Sequence, residues 1–234
     1  LLSSHRRRLR KTHPGTARPL GGAKEAATKT EARRIDAKAV ARQAAQRTRN
    51  KLSLTWIQQA GEQIQQTVLE LPEIKAARSL GLYLALPREV ATDRIIETAR
   101  QRGQTLALPA WRKQEGVYGM ARWDAGAPLG QGHYGIQEPA QPEWIAMTEL
   151  DVMIVTCLAF DPNGWRLGHG GGHFDRLLAA HPGLKMALAF EGQKMLATPC
   201  EEHDVPVNLV VTERAVYRAP GGLTYADPEA WKHR

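Results

Sequence analysis

Between Phe160 and Arg176 the chain reads Phe-Asp-Pro-Asn-Gly-Trp-Arg-Leu-Gly-His-Gly-Gly-Gly-His-Phe-Asp-Arg, with four glycines in the five residues 168–172. That composition suits a phosphate ligand. Lacking a Cβ, glycine lets backbone amides come close to a polyanion. Successive amides form a concave nest, and a helix opening at the end of the run adds partial positive charge. Arg166 can add a two-pronged phosphate contact. Asp175, at the helix start, can ligand a magnesium ion that bridges phosphates. The run lacks the Gly-Lys-Ser/Thr ending of a P-loop and the spacing of a dinucleotide fingerprint. On the residues alone, a flexible glycine turn between two core elements therefore stays open beside the phosphate loop.

The flanking sequence supplies elements to position such a loop. Residues 36–50 read as a helix from Asp36, and Ser53 opens a second helix over 54–70, with Trp56, Ile57, Ile64, Val68 and Leu69 at helical spacing. Leu71-Pro72 ends it. The apolar run 79–86 has strand length and stops at Pro87. A helix over 92–102 follows, closed by Gly103, and a short strand runs from Thr105 to Pro109. Strand, helix and strand at this spacing imply a parallel sheet. Residues 150–160 suit one long buried central strand. A helix over 174–180 and strands at Leu184–Phe190 and Val207–Thr212 complete the pattern.

The 234 residues suit one α/β domain with an appendage. The net charge of +8 is confined to residues 1–34, where ten Lys and Arg face two acids; residues 35–234 carry 22 of each sign. The folded body is thus not expected to bind nucleic acid. We divide the chain into a basic leader (1–34, a disordered extension), a catalytic domain (35–218) and a short tail (219–234). Cys157 and Cys200 lack metal-site spacing; Cys157 reads as a buried free thiol, and the pair fits a reducing, cytoplasmic location. An organelle-targeting role for the leader is the alternative. No apolar run reaches the roughly 18 residues of a membrane span.

Five ordered segments over 38–213 carry a family resemblance. Arg166 to Gly172 followed by His173-Phe174-Asp175 is similar to the signature of 5-formyltetrahydrofolate cyclo-ligases. Leu82 to Val90 resembles that family's strand ending in a substrate-binding glutamate. Trp123 to Gly126 with Gly135 to Pro139 resembles its middle segment, and His203 to Val207 with Val210 to Glu213 its C-terminal segment. Lys38, Arg42 and the arginines after them resemble its opening basic helix.

The resemblance implies a Rossmann-like three-layer α/β sandwich with a mostly parallel central sheet. It implies ATP on Arg166, Gly168, His169, Gly170, Gly171, Gly172, His173 and Phe174, with Lys38 and Arg42 reaching the phosphates. Those two lie at i and i+4 on one helical face, which on spacing alone reads equally as a solvated basic face. It implies Mg²⁺ at Asp175 and Asp204, and folate at Leu84, Glu89, Trp123 and His173, with Lys38, Arg166 and Asp175 serving catalysis. The implied reaction is ATP-dependent closure of 5-formyltetrahydrofolate, possible polyglutamate forms included, to 5,10-methenyltetrahydrofolate by a monomer. Trp56, Trp111 and Trp144 read as core or rim packing.

Two positions depart from the family pattern. His173-Phe174-Asp175 stands where Tyr-Tyr-Asp is usual, and Asn208 replaces an aspartate. These motivate the alternative of a paralogue acting on a different pterin- or thiamin-like substrate. A non-catalytic phosphate- or RNA-binding module is the other alternative.

Overall fold

The computed structural model describes residues 37–220. The leader, the Asp36 cap and all but the start of the tail lie outside the described residues. Helix α1 covers 37–50. Its buried stripe is Lys38, Ala41, Ala45 and Arg49, two small apolar residues between two cations. Helix α2 (Leu54–Glu70) begins where Ser53 accepts a hydrogen bond from the Trp56 amide at 3.2 Å. It buries Ile57, Ile64, Val68 and Leu69, and ends at Leu71, held extended before Pro72, which opens the short α3 (Pro72–Ala76).

Strands β1 (Ser79–Gly81), β2 (Thr105–Arg112), β7 (Val152–Thr156), β10 (Leu184–Leu188) and β11 (Leu209–Val211) form the parallel centre of an eight-stranded sheet. The antiparallel β3 (Val117–Arg122) and β6 (Glu143–Ile145) extend it beyond β2, and β12 (Val216–Arg218) beyond β11. A separate hairpin pairs β4 (Leu129–Gln131) with β5 (Gln137–Pro139). Side chains alternate across the sheet. Val152 and Ile154 join a core with α2, α3 and α4 (Asp93–Gln101), whereas Met153 and Val155 join one with α5 (His173–Ala180). Helices thus cover both faces, giving three layers. Truncating Ile64 or Ile154, each fully buried, to Ala should cost about 2–5 kcal/mol.

Two expectations need correction. The apolar run 150–160 is not one strand. Pairing in the main sheet ends at Thr156, and β8 (Ala159–Phe160) turns back on β9 (Arg166–Leu167). Asp161 causes the turn: its carboxylate accepts from the Asn163 amide at 2.9 Å and its carbonyl from Gly164 at 3.0 Å. Because the run is buried on both faces, no periodicity marked the break. Likewise only Ser79–Gly81 of the run 79–86 is strand; Leu82 still donates to the Ala107 carbonyl at 2.9 Å, and the chain beyond it leaves the ladder.

The parallel strands lie in the order β2-β1-β7-β10-β11, so successive connections leave β1 and β7 in opposite directions. In such sheets a crevice opens beyond the carboxyl ends of the strands at that reversal.

Candidate active site

A cavity of about 580 Å³ occupies that crevice. The segment after β1 brings Leu84 and Glu89 to it, and the glycine loop between β9 and α5 brings Arg166 to Asp175. Lys38 and Arg42 enter from α1, and Glu201, His203 and Asp204 from the loop before β11.

The glycine loop is built for close approach. Gly170 and Gly172 have φ of 108° and 63°, conformations that side chains rarely adopt. Among the described residues, no hydrogen bond acceptor engages the amides of residues 168–172. The loop's carbonyls are held instead: Arg42 Nε donates to Gly168 at 3.1 Å and Arg176 to Gly171 at 3.0 Å. Amides left open above carbonyls tied to arginines are suited to an anion.

Beneath the loop Arg166 is buried and donates to Asp175 Oδ1 at 2.8 Å, an oxygen that also accepts from the Val205 amide at 3.3 Å. The Lys38 ammonium lies 2.7 Å from both Glu201 and Asp204. Burial presses the Lys38 pKa down, but hydrogen bonds and charge from Asp204 and Glu201 outweigh it and raise it. Glu201, His203 and Asp204 present ligand atoms within 4.8 Å of one another, a group able to hold a cation. Asp175 falls outside that group, occupied by Arg166.

At the other end, Glu89 is buried, with Oε2 accepting from the Leu86 amide at 2.9 Å and Oε1 lying 3.5 Å from His169 Nε2. His173 meets Tyr118 and Tyr134 at ring separations of 5.0 and 5.4 Å, and Trp111 stacks on His133 at 4.0 Å behind them. Glu138 organises this group by accepting from the amides of Trp111 and His133 at 2.8 and 3.1 Å. Arg176 donates to His173 Nδ1. Burial, then the charges of Arg176 and His133, hold the His173 pKa below its ordinary value, so the ring is neutral near pH 7.

The structure brings together every residue assigned from the sequence except Trp123. Strand β3 runs antiparallel to β2, so the chain leaves it beside the start of β2, away from the cavity. Trp123 donates its ring N–H to Ala127 at 3.2 Å and lines a separate depression with Arg100 and Glu143. Sequence reasoning missed Glu201, Tyr118 and Tyr134, which lie in segments without motif spacing. Trp111 packs at the rim of the core, as read from the sequence, and its ring backs the His173 cluster. The structure also places Cys157, a buried free thiol as read from the sequence, and Asn208. Burial pushes the Cys157 thiol up to about 12, leaving it inert, and Asn208 Oδ1 accepts from the Lys185 amide at 2.8 Å, a structural tie between β10 and β11.

Residues 34–213 match the 5-formyltetrahydrofolate cyclo-ligase family. The 5-formyltetrahydrofolate cyclo-ligase of Haemophilus influenzae is 30% identical over 163 residues, 66% of this chain and 87% of that protein. That of Escherichia coli K12 is 28% identical over 166 residues, 68% and 91%. The solved structure of 5,10-methenyltetrahydrofolate synthetase from Aquifex aeolicus superposes with a TM-score of 0.71 at 30% identity, covering 81% of this chain and 96% of that one. A match along most of the domain, in a chain whose crevice gathers the matching segments, makes this protein a member of the 5-formyltetrahydrofolate cyclo-ligase family.

Proposed function

We propose that the protein closes 5-formyltetrahydrofolate to 5,10-methenyltetrahydrofolate with ATP as the phosphoryl donor. One observation carries the reading: a single crevice sets an open amide loop with three cations against a buried carboxylate and an aromatic cluster. The first half suits a triphosphate, the second a flat heterocycle with N–H donors.

In this reading the formyl oxygen attacks the γ-phosphorus and ADP departs. N10 of the folate then attacks the activated carbon, the carbon–oxygen bond to phosphate breaks, and N10 gives up its proton. Phosphoryl transfer of this kind needs chiefly alignment and neutralisation of charge. The amides of 168–172 cradle phosphate oxygens, Lys38 and Arg42 neutralise them, and Arg166 supports the loop from below. Glu89 accepts from the donor edge of the pterin, and Leu84 and His173 flank the ring. Magnesium, when bound, would draw charge from the phosphates. Glu201, His203 and Asp204 offer a fitting oxygen and nitrogen set for it, with Asp175 adjoining through Val205. We further assign the enzyme to a reducing, cytoplasmic compartment, as a monomer that accepts polyglutamylated substrate.

The test is the absorbance of methenyltetrahydrofolate on mixing protein, 5-formyltetrahydrofolate, Mg²⁺ and ATP. A rise requiring all components supports the reading. ATP binding without any rise would favour a paralogue with another pterin-like substrate, the reading that the neutral His173 keeps in view.

A further inference from the structure

The last buried residue of α1 is Arg49, and it does not line the cavity. Only 7% of it is exposed, and its Nε and Nη1 make no hydrogen bond among the described residues. A buried guanidinium with open donors is costly, because its charge has left water without full replacement. The Glu89 carboxylate answers it, with Oε1 3.9 Å from Arg49 Nη1.

Glu89 Oε2 is held by the Leu86 amide at 2.9 Å, and the surroundings leave Oε1 no firm partner among the described residues. Arg166 is taken by Asp175 at 2.8 Å. Cys157 is neutral. His169, at 3.5 Å, is half exposed to the cavity. The loop carrying Glu89 is also tied to the end of α1. Arg88 holds a φ of 71°, a left-handed conformation costly for a residue with a side chain. Its guanidinium donates to the carbonyl of Leu52 at 2.8 Å and reaches that of Arg49 at 3.5 Å. The turn after α1 thus fixes the backbone of this loop, and Arg49 faces its carboxylate.

We infer that Arg49 is a positioning residue for folate: it holds the Glu89 carboxylate aimed at the substrate without touching the substrate itself. The inference rests on the proposal that Glu89 accepts from the folate ring. With Arg49 removed, the buried Glu89 carboxylate would lose the guanidinium that faces it and be free to turn away.

The experiment is steady-state kinetics of the full chain as wild type, Arg49→Met, Arg49→Lys, Glu89→Gln and the double variant Arg49→Met/Glu89→Gln, each with a thermal melt. Arg49→Met should raise the folate KM about tenfold or more while the ATP KM stays within about twofold. Arg49→Lys, keeping the charge, should recover part of the loss and remains informative if Arg49→Met does not fold. The double variant should be no worse than Glu89→Gln, since both act on one contact. If Glu89→Gln raises the folate KM but Arg49→Met leaves it unchanged, or the two losses add in full, the inference fails and the reading of Glu89 stands. If Glu89→Gln leaves the folate KM unchanged, the reading of Glu89 fails and the inference with it.

Discussion

The two ends of α1 meet the crevice in opposite ways. At Lys38 the cation is over-supplied with partners, two carboxylates at 2.7 Å each. At Arg49 it is under-supplied, one carboxylate at 3.9 Å and two open donors. Eleven residues separate them, about 16 Å of helix. The tight end must exchange partners when phosphate arrives, because the ammonium that would meet the phosphate is already bound. The loose end is set in advance and changes little. On the proposed reading, the nucleotide half of the crevice would be one that rearranges, the folate half one that is pre-organised.

The largest test of that contrast is Lys38→Met. Losing a charge-assisted contact, worth about 1.5–3 kcal/mol, should raise the ATP KM about ten- to a hundredfold and leave the folate KM near normal. Because Lys38 competes for Glu201 and Asp204, the same variant should bind Mn²⁺ more tightly than wild type without nucleotide. Titration followed by electron paramagnetic resonance reads this directly, and equal affinity would mean that Lys38 does not guard those carboxylates. Asp175→Asn comes next. It removes the counter-charge of a buried arginine, so turnover should fall at least tenfold and the melt by several degrees, a loss of about 3 kcal/mol. Unchanged stability would show the Arg166 contact to be dispensable.

A third, smaller effect is the response to pH, where the ends should part. The Lys38 pKa is raised, so its stabilisation is complete below the ordinary 10.5 and fades as pH climbs through the raised value. The His173 pKa is lowered from 6.5, so below that the unfolded chain takes up a proton the folded one resists. Stability from that site is whole above about pH 6.5 and is lost as pH falls through the lowered value. Denaturant melts of His173→Phe against wild type between about pH 7.5 and about pH 5 should show the flatter curve for the variant. The smallest effect is expected from deleting residues 1–34, which hold the excess charge and of which only the last falls within the family match. Turnover within about twofold of the full chain at moderate salt is the outcome that keeps both ends of the crevice independent of the leader.

Much of the fold could be read beforehand because α2 and α4 bury one stripe, which writes its period into the sequence, and because the parallel strands, buried on both faces, stand out as apolar runs of strand length. The glycine loop was legible from composition, since few other tasks need such backbone freedom. What escaped has physical causes. The antiparallel strands β3 and β6 are short and have mixed burial, so they lack a clean alternation. Trp123 was misplaced because its position depends on which way β3 runs. Glu201 joins the site only through a long loop meeting the first helix, a proximity that no local spacing encodes.

Helix α1 has one more consequence. Its apolar seam consists of Ala41 and Ala45 against Leu158, Ala159, Leu167 and the partly buried Met195, far thinner than the layer beneath α2. Grip there comes from polar clasps more than from hydrophobic area, so α1 should be the part of the domain that opens most readily under native conditions. Its amides would exchange with deuterium well before those of α2, and would slow once both substrates are bound. On the proposed reading, bound nucleotide would hold the Lys38 end of α1, and bound folate, through Glu89 and Arg49, the other end.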